Sequence, residues 1–504
     1  MLVAVALICV PVLGCGTGQA RLQSGHSVFD AIKQRAESYL NDSGKELARG
    51  RTDGALVYSV SASVDPAGMN ISGEEQVLYT NRTPDNLSQV VFRAFASDAG
   101  TGKSLKPAVI SDQTANEKKT TSSLDGSILS VKVPDGIKPG GQTVVGFSFS
   151  ESVPPLGQED TDGLYAHSDG TFDLGSFLPT VLTYSNGAWD KRDVPSYGDS
   201  NYYDSAFYSV SIKAPGGYTV AAPGVEDKGP GGANVFVAGP VRDFEAQVSN
   251  RYVSAGRTLG QTTVTSYYYD KDSRAGKEAL DSGCQALTLY SQHFGPYPYR
   301  RLNVCEAPIV DDGMEYTGQP VIGSFLYESK ADAEELDVAV AHEVCHQWWA
   351  MGVGSDSIGA PWLDESLTSY CEVLYSLWRY GDASARAAVA EMAGYYLSMR
   401  EQETPDAAVD LPVSGFESDD QYTAIVYGKG ALFFNELRKA LDAPAFDKSL
   451  SEYYRKNVFH NATAADLLTA FRDNSGGSGQ VDALYQRWAK ELHGDEDVTA
   501  SPSL

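Results

Sequence analysis

The chain has 504 residues, of which 42 % are hydrophobic and 21 % are charged, and its formal net charge is −27. This length exceeds what one hydrophobic core usually serves and predicts two or three domains. The apolar content and the mixed signs of charge are typical of globular folding and argue against disorder. The strongly acidic balance argues against nucleic acid as a partner, because its phosphates would be repelled.

The first residues are apolar, and the run is too short to cross a bilayer. It is typical of the hydrophobic part of a signal peptide, which we expect at residues 1–14. The run ends in Val-Leu-Gly-Cys, which resembles a bacterial lipoprotein cleavage box, so that Cys15 would be the lipidated first residue. We therefore expect an extracytoplasmic protein that is lipid-anchored to the outer face of the bacterial membrane or secreted. Its only membrane contact would be that lipid.

Residues 15–50 are polar and charged, with one helix-like stretch around 28–47, and predict an anchor and spacer. From residue 51 to about 255 the pattern changes to strands with a period of two, separated by Gly, Pro, Asn and Asp. This region predicts an N-terminal β-sandwich-like domain. Its expected strands lie around 57–64, 77–79, 144–149, 207–212, 219–222 and 234–237.

From residue 256 to about 495 the pattern is mixed and predicts an α/β and then α-helical domain, followed by a tail at 496–504. The chain as a whole is therefore expected to be an α+β multidomain protein. The expected elements are a helix at 275–293, a strand at 302–307, helices around 342 and 365, a helix from about 428, and helical runs at 464–472 and 481–492.

The central motif is His342-Glu343-Val344-Cys345-His346, which is followed nineteen residues later by Glu365. Residues four apart lie on one face of a helix, so His342 and His346 can bind one metal ion. Two imidazoles and one carboxylate leave a coordination position open, which is typical of a catalytic zinc site. Glu343 is placed to hold a water at that ion. The motif predicts one Zn²⁺ per chain with ligands His342, His346 and Glu365.

Glu372 lies seven residues after Glu365, two turns along the same helix face. Histidines that bind metals usually donate their second N–H to a carboxylate, and Glu372 is a candidate for that contact. The alternative is an ordinary solvated carboxylate on the helix surface.

These motifs resemble the gluzincin zinc metallopeptidases of the aminopeptidase N and leukotriene hydrolase family. The resemblance covers His-Glu-Val-Cys-His-Gln-Trp-Trp, the spacing to Trp-Leu-Asp-Glu-Ser, and Glu372. Upstream, Gly313-Met314-Glu315-Tyr316 is similar to the G-x-M-E-N loop of the family. Downstream, Tyr427-Gly428-Lys429-Gly430-Ala431 resembles its Tyr-x-Lys-Gly-Ala segment. The match is clear from about 290 to 435, and the chain resembles a short, lipoprotein-like version of the family.

The resemblance implies a saddle-shaped N-terminal β domain and a thermolysin-like catalytic domain. It implies that Tyr427 stabilises the oxyanion, while Glu343 is the general base. In the substrate loop of Gly313 and Met314, Glu315 would bind the free α-amine of a peptide. Here the loop has Asp312, Gly313 and Tyr316 where Gly, Ala and Asn are usual in the family. A second amine-binding side chain, which the family supplies from the N-terminal half, is not identified from the sequence.

Four cysteines remain beyond the expected signal peptide and Cys15: Cys284, Cys305, Cys345 and Cys371. They allow three pairings, among which the sequence does not choose. Cys345 and Cys371 lie beside metal-ligand positions, so a bridge between them is one alternative. The other interpretation, which we favour, is that the cysteines are small buried apolar residues.

The function expected from these observations is that of a zinc-dependent aminopeptidase that acts on extracellular peptides. A zinc endopeptidase or other hydrolase on the same scaffold is the first alternative, because the metal, the base and the oxyanion donor do not select a chain end. The second alternative is a surface binding module that has lost catalysis. The sequence does not indicate side-chain preference or oligomeric state.

Overall fold

The computed structural model describes residues 18–98, 107–157, 163–193, 195–199, 202–328 and 333–504. The expected signal peptide and lipidation site at Cys15 lie outside these residues. The N-terminal part is built mainly from strands. Its strands are β1 (Leu56–Asp65), β2 (Asn70–Thr80), β3 (Leu87–Arg93), β4 (Val109–Ala115), β5 (Lys118–Lys119), β6 (Ser122–Asp125), β7 (Ile128–Ile137), β8 (Gln142–Ser152), β9 (Tyr165–Ser168), β10 (Thr171–Leu174), β11 (Thr180–Val181), β12 (Tyr184–Ser185), β13 (Ala188–Trp189), β14 (Ala206–Lys213), β15 (Thr219–Ala221), β16 (Val225–Lys228), β17 (Asn234–Val241) and β18 (Gln247–Ser249).

The largest sheet has the order β16-β17-β14-β1-β2-β8-β4-β5, and a four-stranded sheet β11-β3-β7-β6 packs on it. A third sheet has the order β15-β18-β10-β9. The second half of β1 alternates buried and exposed residues, as expected where one face of a sheet lies in a core. Phe92 of β3 meets Phe147 of β8 edge to face, with ring centroids 5.3 Å apart. The expected sandwich-like architecture of this region is confirmed.

The segment before the sandwich differs from the expected spacer. Helix α1 (Gly18–Ala36) places Phe29, Ile32 and Ala36 in a small core with Val57 and Phe207 of the large sheet. These three helix residues follow the spacing of one helix face, which explains why the helix docks rather than extending into solvent. The described part of this segment therefore belongs to the folded body.

Helix α2 (Asp42–Ala48) connects the same segment to the C-terminal part. Asn41 caps α2 by accepting a hydrogen bond from Gly44 N at 2.8 Å, and its side-chain amide donates to Tyr297 O at 2.7 Å. A Cβ on Gly44 would lie 2.0 Å from Pro298 O, so only glycine allows this approach. The segment thus joins the two parts of the molecule.

The C-terminal part opens with a five-stranded sheet of order β19-β20-β21-β23-β22. Its first strand begins at Tyr252, so the domain boundary predicted after residue 255 falls inside this strand. The change in sequence pattern therefore locates the start of the sheet only to within a few residues. The expected strand at 302–307 is confirmed as β21. These strands are β19 (Tyr252–Leu259), β20 (Thr262–Tyr269), β21 (Arg301–Ala307), β22 (Gly313–Met314) and β23 (Val321–Gly323).

The remainder is mostly helical, and the expected helix at 275–293 is confirmed as α4. None of the helices that the structure describes combines the length and apolar character needed to cross a membrane. A short helix, α3, lies in the N-terminal part. The helices are α3 (Phe95–Asp98), α4 (Ser273–His293), α5 (Ala333–Cys345), α6 (Glu365–Tyr380), α7 (Asp382–Glu401), α8 (Asp419–Thr423), α9 (Gly430–Leu441), α10 (Ala443–Asn457), α11 (Ala464–Asn474), α12 (Ser478–Leu484) and α13 (Gly494–Asp497), with π-helical turns at Ala424–Lys429 and Tyr485–Lys490.

Two further expectations can be compared with the structure. The expected tail at 496–504 contacts the body, because Asn435 of α9 donates a hydrogen bond to Ser503 O at 2.9 Å. The cysteines Cys284, Cys305, Cys345 and Cys371 are all free and buried, so none of the three pairings is formed. The interpretation of these cysteines as small buried residues is the one that the structure supports.

Candidate active site

The site begins with the two histidines and the glutamate of the central motif. His342 lies on α5, His346 lies one residue beyond its end, and Glu365 is the first residue of α6. One potential ligand atom from each lies within 4.8 Å of the others. Glu365 Oε2 is 3.5 Å from the Nε2 atoms of both His342 and His346. The three atoms therefore converge on one point.

The second nitrogen of each imidazole is held by a partner that orients the ring. His342 Nδ1 lies 2.6 Å from Glu372 Oε1, which is the contact expected from the sequence. His346 Nδ1 lies 3.0 Å from Trp349 O and 3.3 Å from Thr368 Oγ1. These contacts place the N–H on Nδ1 and leave Nε2 as the atom that can bind a metal.

The pKa of Glu365 is lowered although the residue is buried. Burial raises this pKa, but the neighbouring His346 and the contacts with both histidines outweigh burial and hold the pKa well below its ordinary value. Its Oε2 atom has no hydrogen-bond partner among the described residues. Buried polar atoms are rarely left unpaired, so this carboxylate oxygen is placed for a cation. The donor set of two imidazoles and one carboxylate fits Zn²⁺ with an open position.

Glu343 lies beside this triad and is 6 % exposed. Burial is the largest cause that raises its pKa to about 8; His342 opposes this rise and Glu365 adds to it. Its Oε2 atom also has no hydrogen-bond partner among the described residues. A carboxyl group with a pKa near neutrality can accept and return a proton during one reaction.

The predicted substrate loop runs directly past Glu343. Strand β22, Gly313–Met314, is the edge strand of the five-stranded sheet. A Cβ on Gly313 would lie 2.5 Å from Glu343 Cγ, so a larger residue there would displace the Glu343 side chain. The alanine that is usual in the family at this position would not fit in this arrangement, which gives a physical reason for glycine here.

Glu315 follows this strand and is buried. Burial is the main cause that raises its pKa well above the ordinary value, and the charges of Glu365 and Glu343 add to the rise. Because these charges act on one another, the carboxyl groups of Glu315, Glu343 and Glu365 lie in one cleft. A cation that enters the cleft would relieve their repulsion.

Tyr427 lies on the other side of His342. Their ring centroids are 6.3 Å apart with an interplanar angle of 23°. The tyrosine lies in the π-helical turn Ala424–Lys429, an irregular element that is frequent at functional sites. Lys429 fixes this turn, because its buried Nζ donates to Asp406 Oδ1 at 2.8 Å and to Ala407 O at 2.9 Å. Burial raises the pKa of the Tyr427 hydroxyl, and the charges of Glu365, Asp199 and Glu315 add to the rise, so Tyr427 lies near these carboxyl groups.

One acidic residue in the cleft, Asp199, was not predicted from the sequence. Asp199 comes from the N-terminal part, and burial, together with the charges of Glu315 and Glu365, raises its pKa well above the ordinary value. Its carboxyl group is also hydrogen-bonded to Glu365. Asp199 lies in irregular chain with no period or motif around it, so the sequence carries no local signal for it. The N-terminal part therefore does supply a carboxyl group to this cleft.

Comparison with known proteins identifies the domain that carries this site. The model of the peptidase family M1 domain matches residues 278–488. Aminopeptidase M1-B of Oryza sativa subsp. japonica is 28 % identical over 249 residues, which are 47 % of this chain and 28 % of the rice protein. Aminopeptidase 2 of Candida albicans is 25 % identical over 233 residues, 43 % of this chain and 24 % of the relative. The matched region thus spans about a quarter of the length of these relatives.

Solved structures show the same fold over most of the chain. The M1 zinc metallopeptidase of Deinococcus radiodurans superposes with a TM-score of 0.65 at 18 % identity, covering 89 % of this chain and 97 % of that one. A variant of a two-domain M1 zinc metallopeptidase bound to L-arginine gives a TM-score of 0.66 at 18 % identity, covering 89 % and 96 %. The α+β multidomain fold class is confirmed by these likenesses. The match of residues 278–488 to the model of the peptidase family M1 domain confirms the resemblance to the gluzincin metallopeptidases.

Proposed function

We propose that this protein is a zinc-dependent aminopeptidase that removes N-terminal residues from extracellular peptides. His342, His346 and Glu365 would hold one Zn²⁺, and Glu372 would orient His342. A zinc ion bound there supplies a Lewis acid for the scissile carbonyl and for the attacking water. The names of the matched plant and fungal relatives, which are aminopeptidases, support this proposal.

The remaining residues have roles that follow from their positions. Glu343, which lies beside the proposed zinc ligands, accepts a proton from the attacking water and later donates it to the leaving amine. Tyr427 donates a hydrogen bond from its hydroxyl to the oxygen of the former carbonyl, where negative charge develops. Burial raises the pKa of this hydroxyl well above its ordinary value, so that it keeps its proton for donation.

The observation that carries the choice of an aminopeptidase is the pair of extra carboxyl groups in the cleft. Glu315 and Asp199 are neither zinc ligands nor the base, yet both lie near Glu365. A substrate ammonium group would neutralise charge between them, and a charge-assisted contact of this kind selects peptides with a free N-terminus. A structure related in fold is described as bound to a Tyr-Ser-Ala substrate, in keeping with a cleft that takes short peptides.

A panel of fluorogenic amino-acid amides tests the proposal, each compared with its N-acetylated form. We expect turnover of the free-amine substrates only, its loss when a chelator removes zinc, and its return when zinc is added. Equal turnover of free and acetylated substrates would favour the endopeptidase. Full zinc occupancy with no turnover of any peptide would favour the binding module.

We also propose that the protein acts outside the cytoplasm, attached by a lipid on Cys15 or secreted. The support is the short apolar run and the Val-Leu-Gly-Cys sequence at its end. Metabolic labelling with a fatty acid, on wild type and on Cys15→Ser, tests the anchor. We expect label on the wild type alone, and an unlabelled wild-type protein would contradict the anchor.

A further inference from the structure

The residue that follows the second histidine ligand ties the metal helix to the substrate loop. Gln347 is 1 % exposed. Its Nε2 atom donates to Glu315 O at 2.9 Å and to Tyr316 O at 3.2 Å. Its Oε1 atom accepts from Gly318 N at 2.7 Å. One side-chain amide thus makes three hydrogen bonds to the backbone of a single loop.

The direction of these bonds decides what they fix. They hold the backbone of Glu315, Tyr316 and Gly318 rather than any side chain of the loop. Gln347 is in turn adjacent in sequence to His346, and Met351 N donates to His346 O at 2.9 Å, closing the turn that carries both residues. The Gln347 amide therefore connects the loop that carries Glu315 to the turn that carries the metal ligand His346.

Residues of the N-terminal part hold the other side of the loop through hydrogen bonds. Thr317 N donates to Asp243 Oδ1 at 2.9 Å, and Arg242 N donates to Thr317 Oγ1 at 3.3 Å. The buried Arg242 guanidinium donates to Met351 O at 3.3 Å, just after the metal motif. The loop is thus held between two rigid supports, of which Gln347 is the one that contacts Glu315.

We propose that Gln347 is a positioning residue, whose amide sets the distance between Glu315 and the metal and so enforces selection for a free α-amine. This inference rests on the proposed aminopeptidase function. Catalytic groups must be held within a fraction of an ångström of their productive geometry, and buried hydrogen bonds supply that precision. Gln347 touches neither the substrate nor the metal in this role.

The test substitutes Gln347→Met, which keeps the length of the side chain and removes all three hydrogen bonds. The measured quantity is the ratio of kcat/KM for an alanine amide substrate to kcat/KM for the same substrate without its α-amine. We expect this ratio to fall about tenfold, roughly the effect of one net hydrogen bond. The loss should appear in KM for the free-amine substrate, while turnover of the deaminated substrate and the zinc content stay unchanged.

The matched control is Asn81→Leu in the N-terminal part. Asn81 is also fully buried, and its amide also ties backbone, donating to Asp85 O at 2.8 Å and Ile137 O at 2.7 Å. This variant should lose stability and keep the substrate ratio. If Gln347→Met does not fold, Gln347→Asn retains an amide that is one methylene too short, and the same fall in the ratio is expected.

The outcomes separate this inference from the proposed function. A wild-type protein that does not discriminate between the two substrates contradicts the aminopeptidase itself. A discriminating wild type with an unchanged ratio in the folded Gln347 variant overturns the positioning role. An equal fall for both substrates, or a loss of zinc, also overturns it, because the residue would then support the whole site.

Discussion

Carboxyl groups of the N-terminal sandwich and the carboxyl group of Glu365 in the cleft are all buried, yet their pKa values shift in opposite directions. In the N-terminal sandwich, burial raises the pKa of Glu151 to about 8 and raises that of Glu75 further above its ordinary value, with Glu151 adding to the shift. In the cleft, Glu365 is equally buried but lies beside two imidazoles, and its pKa is lowered instead. The partner, and not the burial, decides whether the carboxyl group is ionised.

The comparison separates structural acids from functional ones. Glu151 accepts a hydrogen bond from Tyr165 Oη at 3.2 Å and, when protonated, needs no cation. The pKa of Glu343 is raised to about 8, like that of Glu151, but Glu343 lies beside His342, which opposes the rise, and beside Glu365, which adds to it. The position of Glu343 beside the proposed metal ligands, rather than its pKa, distinguishes it from Glu151 and suits it to act as a general base.

The largest expected effect comes from removing the carboxyl group of Glu343. Glu343→Gln keeps the shape of the side chain but cannot accept a proton, so kcat should fall by about 10²–10⁴-fold. Zinc content, measured by atomic emission, should remain at one per chain, because Glu343 is not among the proposed ligands. The control Glu278→Gln removes an exposed carboxylate that pairs with Arg274 on α4 and should leave kcat unchanged. Turnover of Glu343→Gln near the wild-type rate would refute the role.

The next effect concerns the oxyanion donor. Tyr427→Phe removes only a hydroxyl, and kcat should fall by about 10²–10³-fold with little change in KM, because the bond forms mainly in the transition state. Tyr454→Phe is the control, since it removes a hydroxyl that donates to Pro296 O at 3.0 Å, outside the cleft. A fall confined to KM would contradict the proposed role of Tyr427.

The contact between Glu372 and His342 should matter for metal binding. Glu372→Ala removes the 2.6 Å partner of His342 Nδ1, and zinc affinity should fall by about 10–100-fold, as is typical for partners of metal-binding histidines. Thr368→Val removes the longer 3.3 Å contact to His346 and should cost less, because Trp349 O still accepts from that ring. Competition with a chromophoric chelator measures both. Equal affinities in Glu372→Ala and wild type would show that Glu372 is only a surface acid.

Local geometry explains which parts of the site could be predicted from the sequence. His342 and His346 are four apart on a helix, and Glu365 and Glu372 are seven apart on another, so helix periodicity alone places each pair on one face. Asp199 reaches the same cleft from irregular chain more than a hundred residues earlier in the sequence. Such long-range placement is fixed by tertiary packing, which leaves no local pattern.

The fold shows the same limit. Helix α4 was predictable from its amphipathic pattern, and β21 was predicted as a strand although its residues after Arg301 are all buried. The docking of α1 had a signal, the spacing of Phe29, Ile32 and Ala36, but the polar composition around it favoured a spacer. The three backbone contacts of Gln347 carried no signal, since glutamine is common on solvent-exposed helix faces and its burial depends on a loop thirty residues away.

The smallest expected effect tests the structural acids, and it concerns stability rather than turnover. The pKa of Glu151 is about 8 in the folded protein and about 4.3 in an unfolded chain. The protonated group therefore stabilises the fold fully below about pH 4, and this contribution is lost as the pH rises toward 8. Glu151→Gln mimics the protonated form at every pH, so its unfolding free energy relative to wild type should increase by roughly 2 kcal/mol between pH 5 and pH 6.5. Urea unfolding at both pH values measures the difference, with the exposed Glu74→Gln as control. If the variant and the wild type lose stability in parallel over this range, Glu151 is ionised in the folded protein, and a cation or water must accompany it there as the histidines accompany Glu365.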